Sequence, residues 1–445
     1  MTQIQTFAGF GMTYNLNFIG QFIKILIEAF GSIGVGIIMF TVILKLITLP
    51  LDIYSRVSTK KMALKQEAMK PELEKLQRQY ANNKKLYQQK MAALYKKQGV
   101  SMLSSCLPMI VTIAFFIIVI NAFTKYSNYT NLTMINDMAA SYTKAIVDYR
   151  EEDGTEVLSV TEKDGKYEVY LIEDKVYQKT VLSENGIVKK ENGKYYPNDV
   201  QKLGALVEKY NNEKGFYEVV IGGNIVKNED GTYSLNIPEG QDEENWKEKI
   251  ATEVASFTFD LYIDENIRPL AREAAAKTYN EEAPKFLWVK NLWVPDLPWK
   301  HPVLNTISEY KFTDIGAEYD SEFAEITYNL SEEKKAPNGY LILVVLSIGV
   351  MVVSQLIMTK SQKTQMELSS VNGQGAQTQK MMMWMMPVMF GVFAFIYNAS
   401  FSLYMIISSA LSTVSTVIIN KIVEIKFKKK AEEEAWSNDK RFFKK

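Results

Sequence analysis

One charged side chain lies inside a long apolar run near the start of this 445-residue chain. Lys45 is flanked by Ile43-Leu44 and Leu46-Ile47, and the next cation toward the C-terminus is Arg56. The separation of the two cations is about 16 Å of helix rise, more than a lysine side chain can reach. Even on a permissive scale, lysine at a bilayer centre costs about 2.5–3.5 kcal/mol. We therefore expect Lys45 to face a wet cavity or a partner; a locally thinned bilayer is the alternative.

Uncharged polar residues in later apolar runs are suited to surround that lysine. Ser354 and Gln355 lie in one run, and Ser408 and Ser412 lie four residues apart in another. None of the four later runs contains Asp or Glu, which argues against a buried ion pair and a carboxylate proton relay. These residues together predict a hydrophilic groove. For each serine taken alone, close packing between helices is the alternative.

Residues for covalent chemistry are scarce. Cys106 is the only cysteine and His301 the only histidine, so a disulfide, a His-based triad and a Cys/His zinc site lack their parts. There is no Walker loop for a nucleotide. We expect no enzymatic activity of the hydrolytic or redox kind, no cofactor and no metal.

Methionines crowd the start of the fourth apolar run. Methionine is flexible and polarizable, and is common on surfaces that accept varied partners. An adaptable surface for the apolar helices of other proteins is one interpretation, and ordinary packing is the other. The residues concerned are Met382, Met385, Met386 and Met389.

Five apolar runs have about the length that crosses ~30 Å of hydrocarbon. As spans one to five they are 33–55, 102–124, 339–359, 381–397 and 399–420. The predicted fold class is an all-α polytopic membrane protein built on a bundle of five transmembrane helices.

Charge is segregated between the segments that join these spans. Segments 56–105, 359–380 and 421–445 together carry 24 Lys and Arg against 9 Asp and Glu, whereas 125–338 carries 25 against 40. Lys and Arg near spans mark the cytoplasmic side. The pattern predicts a plasma-membrane protein with its N-terminus outside, a cytoplasmic loop at 360–380 and a cytoplasmic C-terminus.

Three segments outside the spans have patterns of their own. Residues 15–31 form an amphipathic helix that lies in the outer interface or extends the first span. Residues 57–99 predict a helical hairpin in the cytoplasm, whose lysines are a solvated face on the plainer reading. Residues 125–338 predict an inserted α+β domain outside the cell. Its two Trp-rich segments, Leu287-Trp288 and Leu292–Trp299, are either an interfacial anchor or domain core.

The order of these parts resembles the YidC family of membrane insertases, over residues 15–124 and roughly 285–425. Lys45–Leu51 is similar to the family's Arg-x-x-x-x-Pro-Leu, and Val100–Pro108 to its Val-Asn-Pro-Leu-Gly-Gly-Cys-Leu-Pro. Leu403-Tyr404 is similar to the start of its fifth span. In the second of these motifs Ser101-Met102 stands for Asn-Pro and Ser104-Ser105 for Gly-Gly.

The resemblance implies a groove that opens to the cytoplasm and to lipid, with Lys45 in the family's basic position. A client's polar segment would enter the groove while its apolar helix moves into lipid along the third and fifth spans. Lysine differs from arginine there because it can lose its proton when desolvated. The implied partners are nascent membrane proteins, membrane lipids, a Sec translocon, and the ribosome through the basic tail 421–445. Attraction of that tail to anionic lipid is the alternative, and no small-molecule substrate is expected.

Two other functions are alternatives to an insertase. A small-solute transporter usually shows internal repeats, and five spans without a repeat argue against one. A membrane-anchored receptor would use the acidic domain to bind a ligand. It would not explain Lys45 in the first span or the large hairpin.

Overall fold

The computed structural model divides the chain into two compact units. Unit 1 comprises Met1–Met12, Leu132–Glu282 and Asn305–Ser331, and unit 2 comprises Thr13–Asn131, Ala283–Leu304 and Glu332–Lys445. The structure describes residues 2–7, 9–10, 16, 18–80, 82–97, 107–180, 182–183, 186–214, 224–312, 315–361 and 374–442. The start of the predicted second span and most of the predicted 360–380 loop lie outside these ranges.

The chain is mostly helical, and unit 2 contains the long helices. They are α1 (Phe18–Glu28), α2 (Ile33–Gln79), α3 (Lys84–Lys97), α4 (Leu107–Val147, which continues into unit 1), α10 (Ile342–Ser361), α11 (Gln374–Ile396) and α12 (Ala399–Phe442). The remaining helices, α5 to α9, belong to unit 1.

Three helical segments among the described residues are long and apolar enough to cross a membrane. They are Ile33–Ser58, Ile342–Lys360 and Ala399–Lys429, and they overlap the predicted first, third and fifth spans. In the region of the predicted fourth span, Pro387–Ile396 is a shorter apolar helix. The chain is therefore a membrane protein with at least these three candidate spans; five spans stay a prediction.

Helix α2 runs without a break through Pro50 and out of its apolar half. Inside apolar surroundings neighbouring groups can satisfy the backbone that a proline leaves unpaired, so the helix persists. Its polar half packs against α3, where Met69 and Leu73 are buried against Leu94 and Tyr95. These contacts fold α2 and α3 back on each other.

A glycine lets α1 lie directly on α2. A Cβ at Gly36 would be 2.5 Å from the Cα of Ile27, so only glycine allows this approach. Ile23 and Ile27 are buried on that face, whereas Phe18 is 86% exposed. Helix α1 therefore has an apolar face in the core of unit 2 and further apolar side chains on its exposed side.

Aromatic rings join the other helices of unit 2. Phe116 of α4 contacts Phe390 and Phe393 of α11 and Phe401 of α12, with ring centroids 4.6–5.6 Å apart. A second cluster joins α2 to α4 through Phe40 and Phe123. Helix α12 also packs along both α2 and α10, and is therefore the central helix of the described bundle.

Unit 1 contains short strands and further helices. The strands are β1 (Gln3–Ile4), β2 (Leu158–Lys163), β3 (Lys166–Leu171), β4 (Val188–Glu191), β5 (Lys194–Pro197), β6 (Ile225–Lys227) and β7 (Tyr233–Leu235). The helices are α5 (Glu173–Lys179), α6 (Val200–Lys214), α7 (Glu243–Tyr262), α8 (Arg268–Glu282) and α9 (Asp320–Ile326), with a π-turn at Ile263–Ile267 and 3-10 turns at Ser308–Tyr310, Ala317–Tyr319 and Tyr328–Leu330.

The N-terminal residues belong to unit 1, which the sequence did not indicate. Strand β1 pairs antiparallel with β3, and the sheet order is β1-β3-β2; β4-β5 and β6-β7 are separate hairpins. Thr143 of α4 accepts a hydrogen bond from the Phe7 amide and donates one to its carbonyl, both at 2.8 Å. The Phe7 side chain is buried. These bonds fix the first residues of the chain on the inserted segment.

Hydrogen bonds between side chains connect α4, α8 and α9 in unit 1. Arg272 of α8 binds Glu325 of α9 through two parallel bonds of 2.8 and 2.9 Å, and Tyr142 of α4 donates to the same carboxylate at 2.9 Å. Bidentate pairs of this kind fix both partners in orientation.

Candidate functional site

The lysine inside the first candidate span has two partners. Its Nζ lies 2.6 Å from Oδ2 of Asp52 and 3.0 Å from Oγ of Ser412. Its side chain is 15% exposed, and that of Asp52 is 38% exposed. An ammonium group has three N–H groups. The described contacts engage two of them, which leaves one for a further acceptor.

Two more charges share the same face of α2. Residues 45, 52 and 56 are separated by seven and four positions, which at 3.6 residues per turn places them nearly in line. Asp52 lies near enough to Arg56 for their charges to interact. The apolar helix thus carries a row of cation, carboxylate and cation.

Helix α12 supplies hydroxyl groups opposite this row. Ser412 binds Lys45, and one turn later Thr416 accepts a hydrogen bond of 3.1 Å from Nη2 of Arg56. Hydroxyl groups can satisfy a cation without adding charge to the helix that carries them. We call these five residues (Lys45, Asp52, Arg56, Ser412 and Thr416) the polar row.

The ion pair joins two residues of one helix. None of the four later spans contains Asp or Glu, and the carboxylate that Lys45 contacts belongs to Asp52 of its own helix, whose side chain is 38% exposed. Two helical turns rise about 10.5 Å, a gap that the long lysine stem and the aspartate side chain close together. The overlooked signal was an acid seven residues after the lysine, on the same helical face.

The other predicted groove residues occupy neighbouring positions. Ser354 of α10 accepts a hydrogen bond from Thr413 at 2.7 Å and donates to the Ser409 carbonyl at 3.4 Å, which joins α10 to α12. Gln355 is half-buried, and its backbone carbonyl accepts a hydrogen bond from the Thr359 hydroxyl within α10. Ser408 is a hydrogen-bonding partner of Tyr404. Of the four polar residues predicted beside Lys45, Ser412 is the one that contacts it.

The methionines of α11 fall into two environments. Met385 is 50% exposed, whereas Met389 packs against the phenylalanine cluster around Phe116 and Phe390. The side chains of Met382 and Met386 lie outside the described ones.

A buried polar knot holds the N-terminal ends of α10 and α12. Asp296 accepts hydrogen bonds from the amides of Tyr340 and Leu343 at 2.8 and 2.6 Å. Asn338 donates to the carbonyls of Asn291 and Val294. A carboxylate at a helix N-terminus satisfies free amides and the helix dipole. Sequence reasoning treated this segment as Trp-rich and missed its Asn and Asp residues.

The loop before Asp296 also caps the start of α12. The amides of Ala399 and Ser400 donate to the carbonyls of Val294 and Leu292 at 3.0 and 2.9 Å. The knot is therefore a structural feature that fixes where the two helices begin.

The charges and hydroxyl groups of the polar row offer a surface for charge recognition. Among them no group of three or more His, Cys, Asp or Glu side chains is arranged to hold a metal ion. A shallow cavity of about 260 Å³ lies beside the end of the polar row, lined by Ile357, Lys360, Thr416, Val417 and Asn420. The polar row can bind an anionic or hydrogen-bonding group through the remaining N–H of Lys45.

Comparisons with known proteins bear on the chain as a whole. A membrane protein insertase YidC of Fusobacterium nucleatum subsp. nucleatum is 36% identical over 104 residues, which is 22% of this chain and 49% of that protein. The membrane protein insertase YidC 1 of Streptococcus pyogenes serotype M3 is 40% identical over 101 residues, 22% of this chain and 35% of that protein. The matched part thus spans about half or less of these relatives. No solved structure matches the chain.

A family model covers much more of the chain. The model described as 60Kd inner membrane protein matches residues 25–160 and 271–429, which is more than half of the sequence. The two stretches include the polar row, the phenylalanine cluster and the polar knot. This match confirms the resemblance to the YidC family, and the chain belongs to the 60Kd inner membrane protein family.

Proposed function

We propose that this chain is a membrane protein insertase of the bacterial plasma membrane that acts by non-covalent binding. The observation that carries the proposal is the polar row, a line of charges and hydroxyls inside apolar helices of a chain that belongs to this family. Relatives that match part of this chain are named membrane protein insertase YidC. Its clients are nascent membrane proteins.

The physical benefit of the polar row is a lower barrier to crossing. A polar segment that crosses ~30 Å of hydrocarbon loses the hydrogen bonds of its backbone to water. Lys45, Ser412 and Thr416 offer replacement partners part of the way across. The predicted residues Ser354, Gln355 and Ser408 extend this hydrophilic lining in the proposal.

The apolar half of a client needs a surface beside the groove. Val345 and Val353 of α10 are more than half exposed, as are Val414 and Ile422 of α12. These faces suit lipid or a client helix. The exposed Met385 fits the same role, and Met382, Met386 and Met389 are proposed as part of the same adaptable surface for client helices.

Topology follows the charge pattern in this proposal. Five spans place the α2–α3 hairpin and the basic tail in the cytoplasm, and unit 1 outside the cell. Helix α1 lies in the outer interface, which suits its exposed Phe18 and Ile25. The basic tail is proposed to bind the ribosome. A Sec translocon is proposed to cooperate with the chain.

Complementation tests the proposal directly. The full chain is expressed in cells depleted of their own insertase, and membrane arrival of a small single-span client is followed. We expect rescue of insertion. Absence of rescue, with normal expression and with C-terminal labelling that shows a cytoplasmic tail, would contradict the function.

Variants of Lys45 test the charge. Lys45→Glu is expected to reduce insertion of a client with an acidic extracytoplasmic tail about tenfold relative to Lys45→Arg, because attraction becomes repulsion (~1.4 kcal/mol). Lys163→Glu, at an exposed position of β2 in unit 1, is the matched charge reversal and should insert like the parent chain. Equal activity of the two Lys45 variants would remove the charge from the mechanism.

A further inference from the structure

The cation proposed to receive clients already holds a carboxylate of its own chain. Lys45 and Asp52 are joined at 2.6 Å, and the Asp52 side chain remains 38% exposed. A client carboxylate that approaches Lys45 therefore meets a competitor with the same chemistry.

We propose that Asp52 is an intramolecular counter-ion that sets the charge selectivity of the groove. Carboxylate-bearing client segments bind Lys45 by displacing Asp52, whereas neutral segments use hydroxyl groups and leave the pair intact. This inference rests on the proposed insertase function and adds a specificity-determining residue to it.

The arrangement of the polar row lowers the free-energy cost of replacing Asp52 by a client carboxylate at Lys45. Arg56 lies one turn beyond Asp52 on the same face, and an acid followed by a base four residues later is a favourable helical pair. When a client carboxylate takes Lys45, Asp52 keeps a cation beside it. The row carries one net positive charge before the exchange and none after it.

Asp52 also has a simpler structural role available. The Lys45–Asp52 pair bridges the turn that contains Pro50, where the helix lacks one backbone hydrogen bond. If Asp52 serves only as this bridge, its loss would reduce the insertion of all clients equally. Dependence on client charge therefore separates the two roles.

The experiment compares two clients that differ by one charge. A single-span client carries either Asp or Asn at one position of its short extracytoplasmic tail, and single-round insertion is measured in insertase-depleted cells that express the full chain. The readout is the insertion of the Asp tail divided by that of the Asn tail. Both tails are measured with the same variant, so a smaller amount of folded protein cancels in the ratio.

Removal of the counter-ion should raise that ratio. Asp52→Asn is expected to increase it about two- to fivefold, the range of a partly exposed ion pair. Asp52→Glu should retain the parent ratio because it keeps the charge. Glu67→Gln removes a carboxylate from an exposed position further along α2, and should also leave the ratio unchanged.

A double variant identifies the partner through which Asp52 acts. In a Lys45→Gln background, Asp52→Asn should no longer change the ratio. An unchanged or lower ratio for Asp52→Asn alone, or an equal loss for both tails, would overturn the counter-ion role. If the parent chain inserts neither client, the insertase function itself has failed and the inference falls with it.

Discussion

Two aspartates of unit 2 show how differently a carboxylate can be held among apolar helices. Asp296 is fully buried, and its two oxygens accept hydrogen bonds from the backbone amides of Tyr340 and Leu343. Asp52 is partly exposed, and its described hydrogen bond comes from the long, flexible side chain of Lys45. The donors of Asp296 are fixed by the chain, whereas the donor of Asp52 can rotate away.

This difference separates a structural carboxylate from an exchangeable one. A buried acceptor that loses its donors is costly because water cannot replace them. A carboxylate at the surface of a groove can exchange its partner for water or for another ion. The comparison predicts that the same chemical change destabilises the chain much more at Asp296 than at Asp52.

The largest effect is expected for Asp296→Asn. The amide keeps one acceptor but turns its NH2 group toward a backbone N–H, so one amide at the start of α10 loses its partner. We expect a loss of about 3 kcal/mol in stability. Unfolding of the purified chain in detergent, followed by tryptophan fluorescence, measures it. Asp52→Asn is the matched variant and should change stability by less than about 1 kcal/mol; equal losses would break the comparison.

A smaller effect is expected where a glycine lies against the same carboxylate. A Cβ at Gly339 would overlap Oδ1 of Asp296, so Gly339→Ala must push the carboxylate off its amides. We expect a loss of about 2 kcal/mol in the same unfolding measurement. Gly349 of α10 has no atom within 4 Å of its added Cβ. Gly349→Ala should therefore be neutral or slightly stabilising, and destabilisation of similar size at both glycines would contradict this account.

Lys45 and the apolar runs could be recognised in the sequence because each differs in polarity from the residues next to it. A charge in an apolar run is visible without knowledge of any partner, and the three long apolar helices overlap runs that were predicted from composition. The Lys45–Asp52 pair was also local, and was missed only because the partner was sought on other helices.

The polar knot and the N-terminal strand could not be predicted in the same way. Asp296 is satisfied by backbone amides more than 40 residues away, and backbone groups are identical in every sequence. Strand β1 has two residues, and its pairing with Val169 and Tyr170 depends on a fold that brings distant segments together. Local periodicity carries no information about such partners.

Two carboxylates of unit 1 differ in the direction in which their surroundings shift the pKa. Burial would raise the pKa of Glu325, but hydrogen bonds from Arg272 and Tyr142 bring it below its ordinary value. Partial burial, together with the neighbouring carboxylate of Asp137, raises the pKa of Glu282 to about 7. Glu325 therefore remains charged through the neutral range, while Glu282 changes charge within it.

The smallest expected effect is the pH dependence that Glu282 gives to unit 1. Its pKa is higher in the folded chain than the ordinary 4.5, so its contribution to stability is complete below about pH 4.5. That contribution is lost as the pH rises towards 7. Glu282→Gln cannot ionise, and its amide can still donate to Asp137. We expect the variant to equal the parent at pH 5 and to exceed it by about 1 kcal/mol at pH 8, a value reduced for solvent screening. Hydrogen exchange of amides in 132–147 and 268–282, corrected for intrinsic rates, measures the difference.

Glu281→Gln removes the adjacent charge and should show a smaller change with pH; an equal change for both variants would mean that Glu282 is not the titrating group.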